Sequence, residues 1–365
     1  MAKYGIKGID SQKMKQYNGK KSTFRLEQRE KERDFKEGGE SMAATIADVA
    51  NLAGCSITTV SRAFSVPEKV RPQTRERILQ AAETLRYSPN AIARAMVHQR
   101  NHNLAFVVDP WQYPIMDAFY AEIAGAVQLE AEQRGYCVYT TASDRRELFM
   151  KKRVDGVILA GRADEGLLSD LRGQGIPAVQ INDRPVSDDV PSITTDHYQG
   201  ACQALEHLIA QGHTRVGLVT DRRLARLTDS RRAYEDVLRR HGLPFHPAYI
   251  CPVEPHIETA RQAVDRMLAQ SDAPTALFCM NDCLAVGAMK AAVRRGLRVP
   301  DELAIVGYDG SSLCRATEPE LSSVRVDGSG MGRRGAHMLI DLIEGRLLSE
   351  SRVVMQPELT LRGTT

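Results

Sequence analysis

Aromatic residues are scarce in this chain: 5% of 365 residues, with a single tryptophan. Its seven cysteines stand singly, with no Cys-x-x-Cys pair and no histidine cluster at metal-ligand spacing. That pattern excludes a disulfide framework and a zinc site. Cys279 and Cys283 are four apart inside an apolar run and read as buried thiols. No apolar run is long enough to span a bilayer, and the start has no signal-peptide core, so a cytoplasmic protein without a membrane partner is expected. A nucleotide-binding glycine loop and a Ser-His-Asp ordering are also missing, and with them the usual marks of an enzyme or a cofactor protein. His197, His207 and His213 fall in helix and turn contexts with structural readings.

Net charge is small, +3, but unevenly placed. Residues 1–41 hold 11 Lys and Arg against 7 Asp and Glu, residues 42–98 hold 7 against 4, and the remainder is mildly acidic. Positive charge therefore gathers at the end of the chain where a phosphate backbone would be met. Residues 1–41 are rich in Lys, Gln and Glu, poor in apolar residues, and predict no fixed fold. Met42 lies three residues before the first motif, which makes it a candidate start. The alternative is a basic arm on DNA.

The most informative stretch is 45–65. Ile46, Val49, Ala50 and Ala53 fall at i, i+3, i+4 and i+7, one apolar face of a short helix. Gly54 supplies the left-handed residue that ends it. Ser56 can cap a second helix with Val60, Ala63 and Phe64 inward, which leaves Ile57, Thr58, Ser61 and Arg62 outward. Pro72 to Tyr87 reads as a third helix, with Ile78, Ala81, Ala82 and Leu85 closing the core. Two short helices joined by a glycine turn, the second with an exposed N-terminus, make a helix-turn-helix that can enter the major groove.

The string Thr45-Ile46-x-Asp48-Val49-Ala50-x-x-Ala53-Gly54-x-Ser56-x-x-Thr59-Val60-Ser61-Arg62 resembles the headpiece signature of the lactose-repressor family. Its continuation, Val70-x-x-x-Thr74-Arg75-x-x-Ile78 and Tyr87-x-Pro89-Asn90-x-x-Ala93-Arg94, is similar as well. The resemblance implies an all-α three-helix headpiece at 42–88 and a hinge helix or linker at 89–101. A two-lobed α/β effector domain like the periplasmic binding proteins would fill 102–365. It also implies DNA contacts from Thr45, Ser56, Ile57, Thr58, Thr59, Ser61, Arg62, Lys69, Asn90, Ala93 and Met96. Met96 stands where the family's minor-groove wedge is usually leucine.

From Leu104 onward, apolar strands alternate with amphipathic helices, which predicts parallel sheets covered on both faces. Strands are expected at 104–108, 136–141, 154–159, 178–181, 216–220, 276–280 and 304–307. Helices are expected at 117–134, 197–211, 230–241 and 283–295. Length argues for two such units. Landmarks such as Arg153-Val154-Asp155-Gly156, Asn281-Asp282 and Val306-Gly307-Tyr308-Asp309 are similar to the family's effector domain. Between Thr141 and Val154 the chain has fewer residues than the family's helical segment, so a shortened helix is expected there.

Ligands of open parallel sheets bind outside the carboxyl ends of the strands. Polar residues just past those ends are Asp109, Asn182, Asp183, Asn281 and Asp309, and Trp111, Tyr113 and Phe119 could offer flat apolar faces. The resemblance implies that Asn281, Asp309 and Asn182 or Asp183 hold sugar hydroxyls, with Phe119 and Tyr120 as an aromatic wall. Ser230 stands where the family carries a ligand-gripping arginine, with Arg226, Arg231 and Arg232 nearby.

Taken together, these features predict a repressor that binds a pseudopalindromic operator in double-stranded DNA as a homodimer or tetramer. A small effector in the inter-lobe cleft, a sugar, sugar acid or nucleobase-like molecule, would control its affinity. A sugar receptor or an enzyme on the same two-lobed scaffold is the rival.

Overall fold

The computed structural model describes residues 44–65, 67–87, 100–110, 117–150, 153–183, 185–221 and 227–365. The expectations for residues 1–41 and 89–99, and for Trp111, Tyr113 and Arg226, fall outside them. The chain forms two compact units, residues 1–94 and 95–365.

The first unit contains α1 (Ile46–Ala53), α2 (Ile57–Ser65), a short 3₁₀ turn (Pro67–Lys69) and α3 (Pro72–Thr84). Thr45 starts α1 with a capping box: its Oγ1 accepts from Asp48 N, and its own N–H donates to Asp48 Oδ2 at 2.8 Å. Two N–H groups that the helix itself cannot use are thereby satisfied. The Thr45 N–H bond first, and then the bond that Thr45 Oγ1 donates to the same oxygen at 2.7 Å, hold the Asp48 carboxyl below its ordinary pKa. Gly54 ends the helix at φ 61°, and Cys55 N–H closes back on Ala50 O at 3.0 Å. Ser56 Oγ then accepts from Thr59 N at 3.2 Å and starts α2. Val49, Ala50, Ala53, Val60, Ala63, Ile78, Ala81 and Ala82 form the core. The third helix stops three residues before the expected Tyr87, because Arg86 turns left-handed (φ 49°). That turn lays Tyr87 against Phe64, ring centroids 6.1 Å apart.

The second unit holds two six-stranded sheets. In order, the first half runs β1 (Asn103–Val108), α4 (Ala118–Gln133), β2 (Cys137–Ala142), α5 (Arg146–Phe149), β3 (Gly156–Ala160), α6 (Glu165–Gly173), β4 (Ala178–Ile181) and β5 (Ser192–Thr195). Then come α7 (His197–Ala210), β6 (Val216–Asp221), α8 (Leu227–Arg240), β7 (Ile250–Val253), α9 (Ile257–Met267), β8 (Ala276–Cys279), α10 (Asp282–Arg294) and β9 (Ala304–Asp309). The chain closes with β10 (Ser322–Arg325), α11 (Gly328–Ile343), β11 (Arg352–Met355) and β12 (Glu358–Thr360). One sheet is ordered β11-β5-β4-β3-β1-β2 and is parallel throughout; the other, β12-β10-β9-β8-β6-β7, is parallel except for β12. The chain passes between lobes three times: after β5, between β10 and α11, and between β11 and β12.

Elements named from the sequence are present, with ends shifted by one to three residues; β9 runs two residues further than expected, to Asp309. The strands β5, β7, β10, β11 and β12 and the helices α6, α9 and α11 were not anticipated. Those strands have three or four residues each, too short to show a period; β7 carries a proline and the other four contain Ser, Thr or Arg. Helix α11 opens Gly-Ser-Gly-Met-Gly, which reads as a loop. Its glycines serve close packing on α4: a Cβ at Gly332 would stand 2.5 Å from Ile123 O and 2.9 Å from Ala126 Cβ. The shortened segment after β2 is the single turn α5, which seats Phe149 and Met150 in a small core with Leu167 and Val157. All seven cysteines are free; Cys279 is buried as expected and Cys283 half-buried.

Candidate functional sites

The DNA-facing expectations divide into two groups. Thr45, Ser56 and Thr59 spend their side chains within the fold: Thr45 in its box, and Ser56 and Thr59 on each other at 2.8 Å. Ile57, half exposed although apolar, Thr58 and Arg62 stand on the solvent side of α2, with Ser61 half-buried beside them. Lys69 is exposed in the 3₁₀ turn. The structure adds Arg71, Arg75 and Arg77, exposed around the start of α3. In the sequence their signal is the closeness of these basic residues to Lys69. Asn90, Ala93 and Met96 lie outside the described residues.

In the second unit, strand order reverses beside β1 and β3 in one sheet and beside β6 and β8 in the other. Those carboxyl ends are where ligand crevices open. On the first lobe, Asp109 follows β1, Gly161 follows β3 and Asn182 follows β4. Asn182 is held left-handed at φ 60°, and its Nδ2 donates to Tyr120 Oη at 3.0 Å. A Cβ at Gly161 would lie 2.9 Å from Tyr120 Oη and 3.5 Å from Asp109 Oδ2, so these three side chains share one corner. Phe119 packs edge-on to Tyr120 and is buried close to Gly328. Asp183 is half-buried next to Asn182.

On the second lobe, Asn281 caps α10, its Oδ1 accepting from Leu284 N at 2.8 Å. Asp309 ends β9 in a strained left-handed backbone, φ 98°. Two residues that sequence reasoning did not single out position this region. The buried Asp282 carboxylate accepts from Ser311 N at 2.7 Å and from Ser323 Oγ at 2.6 Å, fixing the loop after Asp309. Burial outweighs those bonds and raises its pKa. Gln180, fully buried, donates to Gly161 O at 3.2 Å and accepts from Val186 N at 3.1 Å. A glutamine inside an apolar strand run was its only signal. Ser230, on the first turn of α8, is 0% exposed.

The lobes meet close to these groups. Cys283 is one residue into α10, and its thiol is pushed up to about 11, by burial first and next by the Asp117 carboxylate. Asp117 caps α4, its Oδ1 accepting from Tyr120 N at 2.9 Å. The start of α4, with Tyr120, and the start of α10, with Asn281, are therefore neighbours across the lobes. Two surface cavities of about 550 and 540 Å³ lie away from this junction, one between α7 and α8 and one around Arg100 and Asp155. Strand ends and unsatisfied polar atoms mark the candidate site.

A helix-turn-helix unit coupled to a two-lobed α/β unit defines a DNA-binding regulator. Comparison agrees along nearly the whole chain. Residues 45–90 match the model of the bacterial regulatory proteins of the lacI family, and residues 205–365 match a periplasmic binding protein-like domain. The HTH-type transcriptional repressor CytR of Escherichia coli K12 is 30% identical over 88% of this chain and 96% of its own length. Catabolite control protein A of Priestia megaterium is 29% identical over 89% of this chain and 100% of its own. Among solved structures, the lac repressor dimer bound to operator and an anti-inducer superposes with TM-score 0.76 at 25% identity, covering 88% of this chain and 99% of that one. The transcriptional regulator CelR in complex with cellobiose gives 0.67 at 27%, covering 88% and 100%. The chain belongs to the lacI family of transcriptional regulators. It is a DNA-binding repressor-type protein, not an enzyme. No helix among the described residues is long and apolar enough to cross a membrane.

Proposed function

We propose that this protein is a cytoplasmic repressor whose operator affinity is set by a small molecule held between the two lobes. One observation carries the reading. Asn182 Oδ1 and the hydroxyls of Thr195, Thr220, Ser230 and Ser311 are buried at or near the carboxyl ends of the strands without a hydrogen-bond partner. Leaving such a group unmet costs about 1–3 kcal/mol. Five of them gathered on one end of two sheets are a surface waiting for a polar ligand. Asp109, Tyr120, Asn281 and Asp309 would frame it.

The headpiece would occupy residues 42–88, the hinge 89–101 and the effector domain 102–365. As a homodimer it would present two copies of α2 to a pseudopalindromic operator, with Arg62 and Thr58 reading base edges and Lys69, Arg71 and Arg75 on phosphates. The solved relative bound to its operator is a dimer, which supports that stoichiometry over a tetramer. Ligand acts only as far as it favours one lobe arrangement. A gel shift on upstream DNA, repeated across salt concentrations and with candidate effectors, tests this. Arg62→Ala should lose about 1–3 kcal/mol per half-site and relax one base position. An unchanged footprint would remove α2 from the groove.

A further inference from the structure

The outer face of α2 is poor in groups that hydrogen-bond a base edge. Its nine residues, Ile57–Ser65, include no amide and no carboxylate side chain. The two-bond reading of adenine by Asn or Gln is therefore absent from this helix, as is acceptance from a cytosine amino group by Asp or Glu. Among its described side chains, the exposed polar ones are Thr58 and Arg62, while the Thr59 hydroxyl is turned onto Ser56 at 2.8 Å. The other exposed side chain is hydrocarbon, that of Ile57 on the first turn.

Ile57 is 50% exposed, whereas the apolar residues that follow it, Val60, Ala63 and Phe64, pack in or against the headpiece core. The helix is fixed without it, by the Ser56 cap and by the burial of Val60 and Ala63. A branched alkyl group neither donates nor accepts, so it cannot tell nitrogen from oxygen on a base edge. In the major groove thymine is the base that presents hydrocarbon, through its C5-methyl group. Contact between the two removes both from water. Cytosine lacks that methyl, and 5-methylcytosine carries it at the same ring position.

We propose that Ile57 reads the C5-methyl group of one pyrimidine in each half-site. The chain then accepts thymine or 5-methylcytosine at that position and discriminates against uracil and unmodified cytosine. Methylation of a cytosine there would raise occupancy of the site without any change of sequence. This rests on the reading of α2 as the helix that enters the major groove. The test uses the full chain. A duplex that it binds specifically is selected from a random-sequence library, and each thymine on either strand is replaced in turn by uracil. That change removes the methyl and leaves every hydrogen-bonding edge intact.

One position should lose about three- to fivefold in affinity per half-site, the amount that burial of one methyl supplies. Changing both half-sites should multiply the two losses. At that position cytosine should bind no better than uracil, and 5-methylcytosine should recover about three- to fivefold over cytosine. Ile57→Ala should melt near the parent temperature, bind the thymine duplex about as weakly as the parent binds the uracil one, and lose nothing further on uracil. A half-site in which no uracil weakens binding overturns the proposal while leaving α2 as the reader. An Ile57→Ala variant that still loses affinity on uracil overturns it as well, because the methyl is then read by another residue. A chain that selects no sequence at all removes both this assignment and the reading on which it rests.

Discussion

Asn281 can serve two masters because its two amide atoms differ. Oδ1 caps α10 through Leu284 N, so the group it can still extend to a ligand is Nδ2. Asn281→Asp keeps an oxygen on the cap and adds negative charge where the helix dipole favours it, but exchanges the donor for an acceptor. It should melt near the parent temperature and lose the effector-dependent change in operator affinity. Asn281→Ala should lose the response and also about 1 kcal/mol of stability with the cap. Chemical denaturation alongside a gel shift separates the two effects. If Asn281→Asp still responds to effector, Nδ2 does not touch ligand. A second residue-scale test concerns acid. Burial lowers the pKa of His207 below the usual imidazole value of 6.5, and does the same to His213, with the neighbouring His207 as a lesser cause. In the unfolded chain these rings take up protons more readily, so stability is present above pH 6.5 and lost as pH falls through the depressed folded values. His207 Nε2 has no partner. His207→Gln should therefore flatten the decline of Tm below pH 6.5, and an unchanged pH profile would count against this account.

At the scale of elements, glycine positions decide how closely helices approach. Gly332 brings α11 against α4, and the Cβ of an alanine would press on the Ile123 carbonyl, which is backbone and cannot swing aside. Gly332→Ala should cost about 1–3 kcal/mol by overpacking, read as a lower urea midpoint with unchanged slope. The same helix shows where the sequence was hard to read. Periodicity exposed α1, α2, α4 and α10 because each carries an apolar stripe, and Ser56 and Gly54 announced their turn chemistry directly. Helix α11 hides behind its glycines, whose value appears only once α4 is beside it. Short strands such as β10, Ser322–Arg325, are made by pairing with β9 and β12 rather than by their own pattern. The candidate site followed the same division. Asn182, Asn281 and Asp309 could be named from their places after strands. Gln180 and Asp282, which hold those loops, became visible only through their bonds. Thr45 and Thr59 showed the reverse, being named for DNA but occupied by caps.

For the molecule as a whole, two units with separate cores should have separate stabilities. The smaller rests on eight small buried residues, among them five alanines, and a domain of that size is marginal. The larger has two sheets, three crossings between lobes and a long continuous core. Calorimetry should therefore resolve two transitions, the lower one belonging to the helix-turn-helix. Binding stabilises only what it touches: an effector at a hundred times its Kd adds about 2.7 kcal/mol to the unit that holds it. Effector alone should raise the upper transition and leave the lower in place, whereas operator DNA should raise the lower. Ile78→Ala, which removes the largest side chain of the small core, should abolish the lower transition at a cost of about 2–5 kcal/mol without moving the upper. If effector raised both transitions equally in the absence of DNA, the two units would be melting as one block. The ligand signal would then pass through a rigid body, not through an equilibrium that DNA and effector bias from opposite ends.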